Sequence, residues 1–527
     1  RKWWTLIAVC TAMFMLLIDI TVVNVALPNI QSSLHSSFSD LQWVVDAYSL
    51  TLAAFLLTAG VLGDMFGRRG VFAIGLAVFT ASSLVCGLST SSLMLNLSRA
   101  AQGVGGAIMF ATSLALIAAA FSGRERGTAF GIYGAVIGGA VAVGPLIGGA
   151  ITSGIGWRWI FFVNVPVGAA AIVITLTQVA AVKEHNQRRI DLIGFISFSV
   201  ALFLLVLALV RGNDDGWGSA QIVGGLVAAT ALLVVFVVTE WRRSDPMLDL
   251  TLFRRPAMVG ASVVAVTLSA SIFAMFLYLT LFLQDDLGYG PFAAGLRFLP
   301  ITLLAFAVAP VAGKLSVRLQ SRYLLGTGLL LVAVGLFLMS MIHTASGWTV
   351  LIPGFLVSGC GIGMVNPVLA SAAVSVVPPE RSGMASGANN TFRQVGIATG
   401  IAALGAVFQS QIEHATSTAL ATTASGRALL AGGGTALKGA LAGGGVREAA
   451  AAIPSAGARS ALLHAYRVGF ASTLDHLMII GTVVAALGSA GAFALVRQSD
   501  FVPSYAPAPE GGPSEGAMAE PAPVVAL

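Results

Sequence analysis
Residues 60–70 read GVLGDMFGRRG, and long apolar runs flank them on both sides. On a soluble surface Asp64, Arg68 and Arg69 would be ordinary; between apolar runs they mark a short polar turn where a chain leaves one face of a bilayer and re-enters it. A plain turn accounts for the two arginines as loop charges. It leaves Asp64 and the glycines at fixed offsets unexplained. Gly60 and Gly67 let two helix ends approach closely, and the carboxylate then sits beside basic groups and a helix terminus. The functional reading is a charge-based latch between neighbouring helices.

The rest of the chain decides for the membrane. Of 527 residues 57% are hydrophobic and only 9% charged, whereas soluble domains carry about a quarter charged residues. A globular core cannot absorb that much apolar surface, but a bilayer can, and each crossing needs a run of roughly 20 apolar residues. About fourteen such runs succeed one another, from 4–27, through 41–63 and 71–91 on either side of the quoted turn, to 390–410 and 468–496. The chain therefore reads as an all-α integral membrane protein. Its formal charge of +6 is scattered over short connections and is no nucleic-acid footprint. Cys10, Cys86 and Cys360 lie inside apolar runs, and the six histidines lack ligand spacing, so neither a disulfide framework nor a metal site is expected.

Lysine and arginine orient the crossings. Alternate connections carry Arg1 and Lys2; Arg68 and Arg69; Arg124 and Arg126; Lys183, Arg188 and Arg189; Arg242, Arg243, Arg254 and Arg255; Lys314, Arg318 and Arg322; then Arg381 and Arg497. The positive-inside rule places these connections and both termini in the cytoplasm, with the chain in the inner (plasma) membrane. Arginine far outnumbers lysine, 24 to 4, which points to a GC-rich bacterium. The remaining short connections hold little beyond Arg158 and Arg211. A long connection at 412–467, rich in Ala, Gly and Thr, falls outside despite its basic residues, as long loops escape the charge rule. The tail at 500–527 is rich in Pro, Ala and Glu and is expected to be disordered.

The quoted turn resembles the G-x-L-x-D-x-x-G-R-R/K signature of the major facilitator superfamily through Gly60, Leu62, Asp64, Gly67, Arg68 and Arg69. RAAQGVGGA at 99–107 is similar to the fourth-helix pattern R-x-x-Q-G-x-G. AVAVGPLIGG at 140–149 resembles the fifth-helix antiporter pattern G-x-x-x-G-P-x-x-G-G through Gly144, Pro145, Gly148 and Gly149, with Ala140 replacing the first glycine. LLIDITVVNVALP at 16–28 and WRWIFFVNVPVG at 157–168 resemble signatures of the fourteen-helix drug:proton antiporter branch. The resemblance implies two six-helix bundles, at 1–185 and 246–499, with two inserted helices between them at 186–245. The second half repeats the turn only faintly: GKLSVRLQSR at 313–322 lacks the acid and the later glycine.

Three charges lie inside the apolar runs of the first bundle. At a rise of about 1.5 Å per residue, Asp19 falls about 13 Å, Asp46 about 8 Å and Arg99 about 9 Å below the outer surface. An isolated charge there costs at least about 2.5–3.5 kcal/mol, so pairing, protonation or a watery cavity must relieve it. For Arg99 the readings are a permanent ion pair with one of the acids, which orders the bundle, or a coupling role, and for Asp19 structural and proton-coupling roles both stay open. Asp46 reads first as a group that meets substrate charge. Gly144 and Pro145 read as a packing and bending device in the fifth helix. Asn366, Asn389, Asn390, Arg393 and Gln394 are the polar residues of the second bundle, expected to satisfy backbone groups or one another.

These residues and the resemblance together imply a monomeric secondary transporter that exchanges protons for amphipathic or cationic drugs by alternating access. Its partners would be small amphipathic substrates, protons and the lipid bilayer. No G-x-x-x-x-G-K-[ST] motif is present, so the proton gradient is the expected energy source and no cofactor is needed. Two other readings remain: an exporter of an endogenous neutral or anionic antibiotic or metabolite, and a membrane-embedded lipid-handling protein. Nothing in the pattern suggests catalytic residues.

Overall fold
The computed structural model describes residues 2–35, 38–180, 191–243, 246–342, 346–430 and 450–501. Among them no strand occurs, as expected where the hydrocarbon offers backbone amides no water to bond. The helices in order are α1 (Lys2–Leu34), α2 (Phe38–Phe66), α3 (Arg68–Gly87), α4 (Ser92–Ala120), α5 (Gly123–Gly154), α6 (Trp159–Phe162), α7 (Asn164–Gln178), α8 (Leu192–Asp215), α9 (Ala220–Arg242), α10 (Pro256–Leu268), α11 (Ala274–Leu281), α12 (Pro291–Arg297), α13 (Leu299–Leu315), α14 (Ser321–Met339), α15 (Ile352–Ser375), α16 (Ser382–Ala421) and α17 (Ala456–Leu495). Short helices α6 and α7 form one span, and a π turn at Ser269–Phe273 joins α10 to α11 as another. Among the described residues twelve spans are long and apolar enough to cross a membrane. The other two expected runs fall on α5 and on α13, whose 17 residues make it the shorter helix.

The quoted turn breaks the chain between α2 and α3 at Gly67, whose φ of 93° a side chain would oppose. Helices α1–α7 pack around a core that includes Leu16, Tyr48, Phe72, Phe79 and Phe130. Helices α10–α17 pack around a second core built on Leu279, Leu329, Phe355 and Phe470. Helices α16 and α17 run past the expected boundaries at 412 and 467, to Ala421 and from Ala456. Ile412, Thr416 and Leu420 form a buried stripe at helical spacing, and Leu462, Ala465, Tyr466 and Phe470 bury against the same cluster; this apolar zipper keeps the backbone helical beyond the bilayer-length run. Residues 431–449 of that connection, and 502–527 of the tail, lie outside the described residues. Asp500, the expected start of the disordered tail, instead caps α10: its Oδ2 accepts the Ala257 amide at 3.0 Å.

Two seams join the bundles at the end that carries Arg68, Arg126 and Arg381, called here the basic end. In one, α2 meets α16 so closely that a Cβ on Gly60 would lie 2.1 Å from the Gly383 carbonyl oxygen. In the other, α5 meets α13, and a Cβ on Gly127 would lie 2.2 Å from the carbonyl oxygen of Gly313. Helix α8 lies across the first seam. It touches α2 through the Thr58 and Ser199 hydroxyls, 3.3 Å apart, and α16 through the Asn213 amide, which donates to the Ala402 carbonyl at 3.0 Å.

This packing generates a prediction for Gly60→Val. Overpacking costs on the order of 1–3 kcal/mol, and 1.4 kcal/mol is tenfold in an equilibrium, so the substitution should hold the basic end open. With Cys10, Cys86 and Cys360 replaced by serine, a cysteine at the fully buried Ser386 should react with a methanethiosulfonate severalfold faster in Gly60→Val than beside Gly60. Equal rates would mean that the glycine contact does not control opening.

Candidate functional site
The glycines of the fourth-helix motif allow α4 to approach its neighbours: a Cβ on Gly103 would lie 2.4 Å from the carbonyl oxygen of Tyr48 on α2. That proximity brings Arg99 to the middle of the first bundle, where it is 1% exposed and Asp19 is 2% exposed. Arg99 Nη1 donates to Asp19 Oδ2 at 2.5 Å and to Gln102 Oε1 at 2.7 Å, and Nε donates to the Val44 carbonyl at 3.1 Å. The other carboxylate oxygen, Asp19 Oδ1, accepts from Gln102 Nε2 at 2.9 Å and Asn164 Nδ2 at 3.0 Å. Ser83 Oγ accepts from Asn164 Nδ2 at 3.0 Å. The guanidinium stacks over Tyr48, 4.2 Å from the ring centre.

Five helix segments thus converge on one carboxylate: α1 with Asp19, α2 with Val44 and Tyr48, α3 with Ser83, α4 with Arg99 and Gln102, α7 with Asn164. Three of the quoted motifs meet here. Gln102 and Asn164 were visible inside those motifs but not singled out, and Ser83 carried no signal. Removing one partner of a buried, hydrogen-bonded ion pair costs about 3–5 kcal/mol, because the other charge is left bare.

Asp46 does not join this network. It faces Arg211 of α8, with Oδ2 3.9 Å from Nε, and Arg211 in turn lies over Trp43, 5.1 Å from the ring centre. Asp46 therefore binds the inserted pair to the first bundle, and Arg211 is a helix residue that reaches back to α2 and not a loop charge.

Asp64 crosses to the second bundle. Its Oδ1 accepts the Gly383 amide at 2.9 Å and its Oδ2 the Met384 amide at 2.8 Å, both in the first turn of α16, while Arg68 Nε donates to Oδ1 at 3.0 Å. The carboxylate thus caps a helix of the opposite bundle, where free amides and the helix dipole favour negative charge. Arg68 also donates to the Pro379 carbonyl just before α16, and Arg69 to the Leu176 carbonyl of α7. Beside the same seam Arg381 Nη1 lies 2.5 Å from Asp249 Oδ2. Burial alone would raise the Asp249 carboxyl, but the Thr251 hydroxyl and amide and Arg381 outweigh it and hold its pKa below the ordinary value. The pair is therefore intact at neutral pH and is lost as pH falls through that lowered value.

The fifth-helix motif packs on α1: a Cβ on Gly144 would overlap the Thr21 side chain, and one on Gly148 would press on Val22. Gly149 faces Phe292 of α12 at ordinary contact distance. Helix α5 continues through Pro145, whose side chain lies outside the described residues.

Between the bundles a small, partly open cavity is lined by Ile137 and Gly138 of α5, Phe273 and Phe276 of the α10–α11 span, Thr302 of α13 and Asn366 of α15, among others. Of the second-bundle asparagines, expected to satisfy backbone groups or one another, one does so and two carbonyls do not. Asn390 does donate to the Phe110 carbonyl across the seam at 3.5 Å, but Asn366 Oδ1 and Asn389 Oδ1 are buried without a hydrogen-bond partner among the described residues. Asn366 lines the cavity facing Ile137 and Gly138 of the first bundle.

Known proteins place this geometry. The Major Facilitator Superfamily profile matches residues 9–401. The chain is 39% identical over 404 residues to the multidrug resistance protein Stp of Mycobacterium tuberculosis, covering 76% of this chain and 75% of that one. It is 35% identical over 415 residues to the tetracenomycin C resistance and export protein of Streptomyces glaucescens, covering 78% and 77%. The fold is similar to that of the proton:xylose symporter XylE, with a TM-score of 0.58 at 13% identity over 94% of this chain and 96% of that one. With twelve membrane-long helices, two glycine-packed seams and relatives named for drug resistance and export, the chain belongs to the major facilitator superfamily and is a multi-pass membrane transporter, not an enzyme.

Proposed function
We propose that the protein is a monomeric proton-coupled antiporter that exports amphipathic small molecules by alternating access, with the basic end and both termini in the cytoplasm and no bound cofactor. The observation that carries the reading is Asp19, a carboxylate sunk among apolar helices with Arg99, Gln102 and Asn164 as its hydrogen-bond donors. A proton taken up on Asp19 cancels the charge that holds Arg99, and its departure restores the pair, so the occupancy of one site alters the charge balance of a whole bundle. The relatives named for multidrug resistance and for export of tetracenomycin C support outward movement of drug-like compounds. Neither Asp19 nor Asp46 offers a bare negative charge to a cation, since an arginine faces each.

Transport is tested in inverted membrane vesicles by dye uptake under an imposed pH gradient, with a protonophore as control. Uptake that persists after the gradient is collapsed would sink the proton-coupled reading.

The double variant Asp19→Asn/Arg99→Gln removes both charges together and avoids a lone buried one. It should retain dye exchange down a dye gradient but lose the response to pH. A double variant that still concentrates dye under a pH gradient would show that Asp19 only orders the bundle.

Asp64→Asn should reach the membrane in normal amount and move substrate about tenfold more slowly or worse, since a hydrogen bond to a charged group contributes about 1.5–3 kcal/mol. Wild-type turnover in this variant would remove Asp64 from the gating cycle.

A further inference from the structure
We infer that Arg393 is an anion-recognising residue of the central cavity, and that the compounds this protein carries present an acidic group on an aromatic body. Arg393 lies eleven residues into α16, about 16 Å along the helix from its start at Ser382. Its side chain is half-buried. Among the described residues it has neither an ion-pair nor a hydrogen-bond partner; its contact is with the face of Phe273, 5.6 Å from the ring centre. Phe273 closes the π turn between α10 and α11 and lines the cavity between the bundles. Glycines clear the approach: a Cβ on Gly396, one turn along α16, would lie 2.7 Å from the Val266 carbonyl oxygen.

The charges nearby are already matched. Asp19 is held by Arg99, Asp46 faces Arg211, and Asp64 is held by Arg68 and two amides. A guanidinium recognises carboxylate and enolate oxygens through its planar fork of donors. Tyr133 of α5 lies within electrostatic reach of it, and the Tyr133 hydroxyl is buried without a partner, so a second donor stands available beside the cavity. The walls from Phe273 and Phe276, backed by Phe298 at 5.5 Å from Phe276, suit a flat aromatic body. A cation in the same place would meet an unscreened like charge.

The inference rests on the export reading for the direction of movement, but binding can be measured separately. Purified full-length protein is titrated at pH 7.5 and fixed ionic strength with fluorescein, an anion, and rhodamine 123, a cation on the same ring skeleton, and binding is followed by anisotropy. Wild type should bind fluorescein more tightly. Arg393→Gln should weaken fluorescein by about 30-fold or more and leave rhodamine 123 unchanged or tighter, while Arg393→Lys should keep the order of preference at reduced affinity. Should Arg393→Gln not fold, Arg393→Met, which leaves no buried polar group behind, gives the same reading. A wild-type preference for rhodamine 123, no fluorescein binding at all, or equal weakening of both dyes in a monodisperse Arg393 variant would overturn the assignment. The expected binding pattern without gradient-driven movement of either dye would sink the export reading and leave this inference standing.

Discussion
A carboxylate cannot be carried into hydrocarbon alone, and the first bundle is arranged around meeting that demand at Asp19. Its two oxygens take donors from α4 and α7, while the arginine that neutralises it is itself fixed by a carbonyl of α2 and stacked on Tyr48. Each of these groups can be satisfied only if five helix segments keep their positions. A half-satisfied network would be worse than an apolar core, so the constraint favours a bundle that moves as one body over one whose helices shift independently. The three donors to Asp19, Arg99, Gln102 and Asn164, all belong to the first bundle, and movement of the second bundle therefore need not disturb them.

The seams between the bundles are built on a different principle. Backbone meets backbone at Gly60 and Gly383 on one side and at Gly127 and Gly313 on the other, so that van der Waals contact, which replaces the hydrophobic effect between helices in lipid, is gained over flat surfaces. The two seams are alike in glycine but not in charge. GVLGDMFGRRG supplies Asp64 to the first, whereas GKLSVRLQSR has no acid at the matching place, and the second seam is crossed instead by a bond from Arg126 Nη2 to the Ser375 hydroxyl at 3.3 Å. Helix α8 lies along the charged seam only, attached to both bundles, which accounts for Asp46 and Arg211 as parts of that attachment.

Much of this was legible in the chain and some could not have been. Apolar runs of bilayer length located the helices because the solvent imposes the length. The i,i+4 spacing of Asp64 and Arg68 announced their pair. What Asp64 caps lies 319 positions away in the sequence, and no local pattern encodes it. Depth along the runs brought Asp19, Asp46 and Arg99 to the outer half of one bundle, but which acid pairs with Arg99, and that Gln102 and Asn164 join the pair, follow only from how α1, α4 and α7 face one another. Asp46 was read as a group that meets substrate charge, and the structure sets it beside Arg211 of α8, a partner the sequence does not announce. The long reach of α16 and α17 beyond the bilayer was hidden because their stripe of Ile412, Thr416 and Leu420 is too polar on average to register as a span, and becomes a core only against its partner helix.

If Asp64 acts as the proposed latch, its geometry makes that contact reversible. When α16 withdraws, Asp64 loses two amide donors, each bond to a charged acceptor contributing about 1.5–3 kcal/mol, and at the basic end water can replace them. Arg68, at the start of α3 one turn after Asp64, lies 3.0 Å from it within the first bundle, so the pair does not depend on a partner from the second bundle. The acid is therefore never left as a bare charge beside apolar helices, which would cost far more than the two bonds and would lock the seam shut. In the same movement the first turn of α16 recovers free amides that water can also satisfy. An acid that is neutralised within its own bundle and bonded across to the other through amides gives a contact strong enough to set a preferred state and weak enough to leave it.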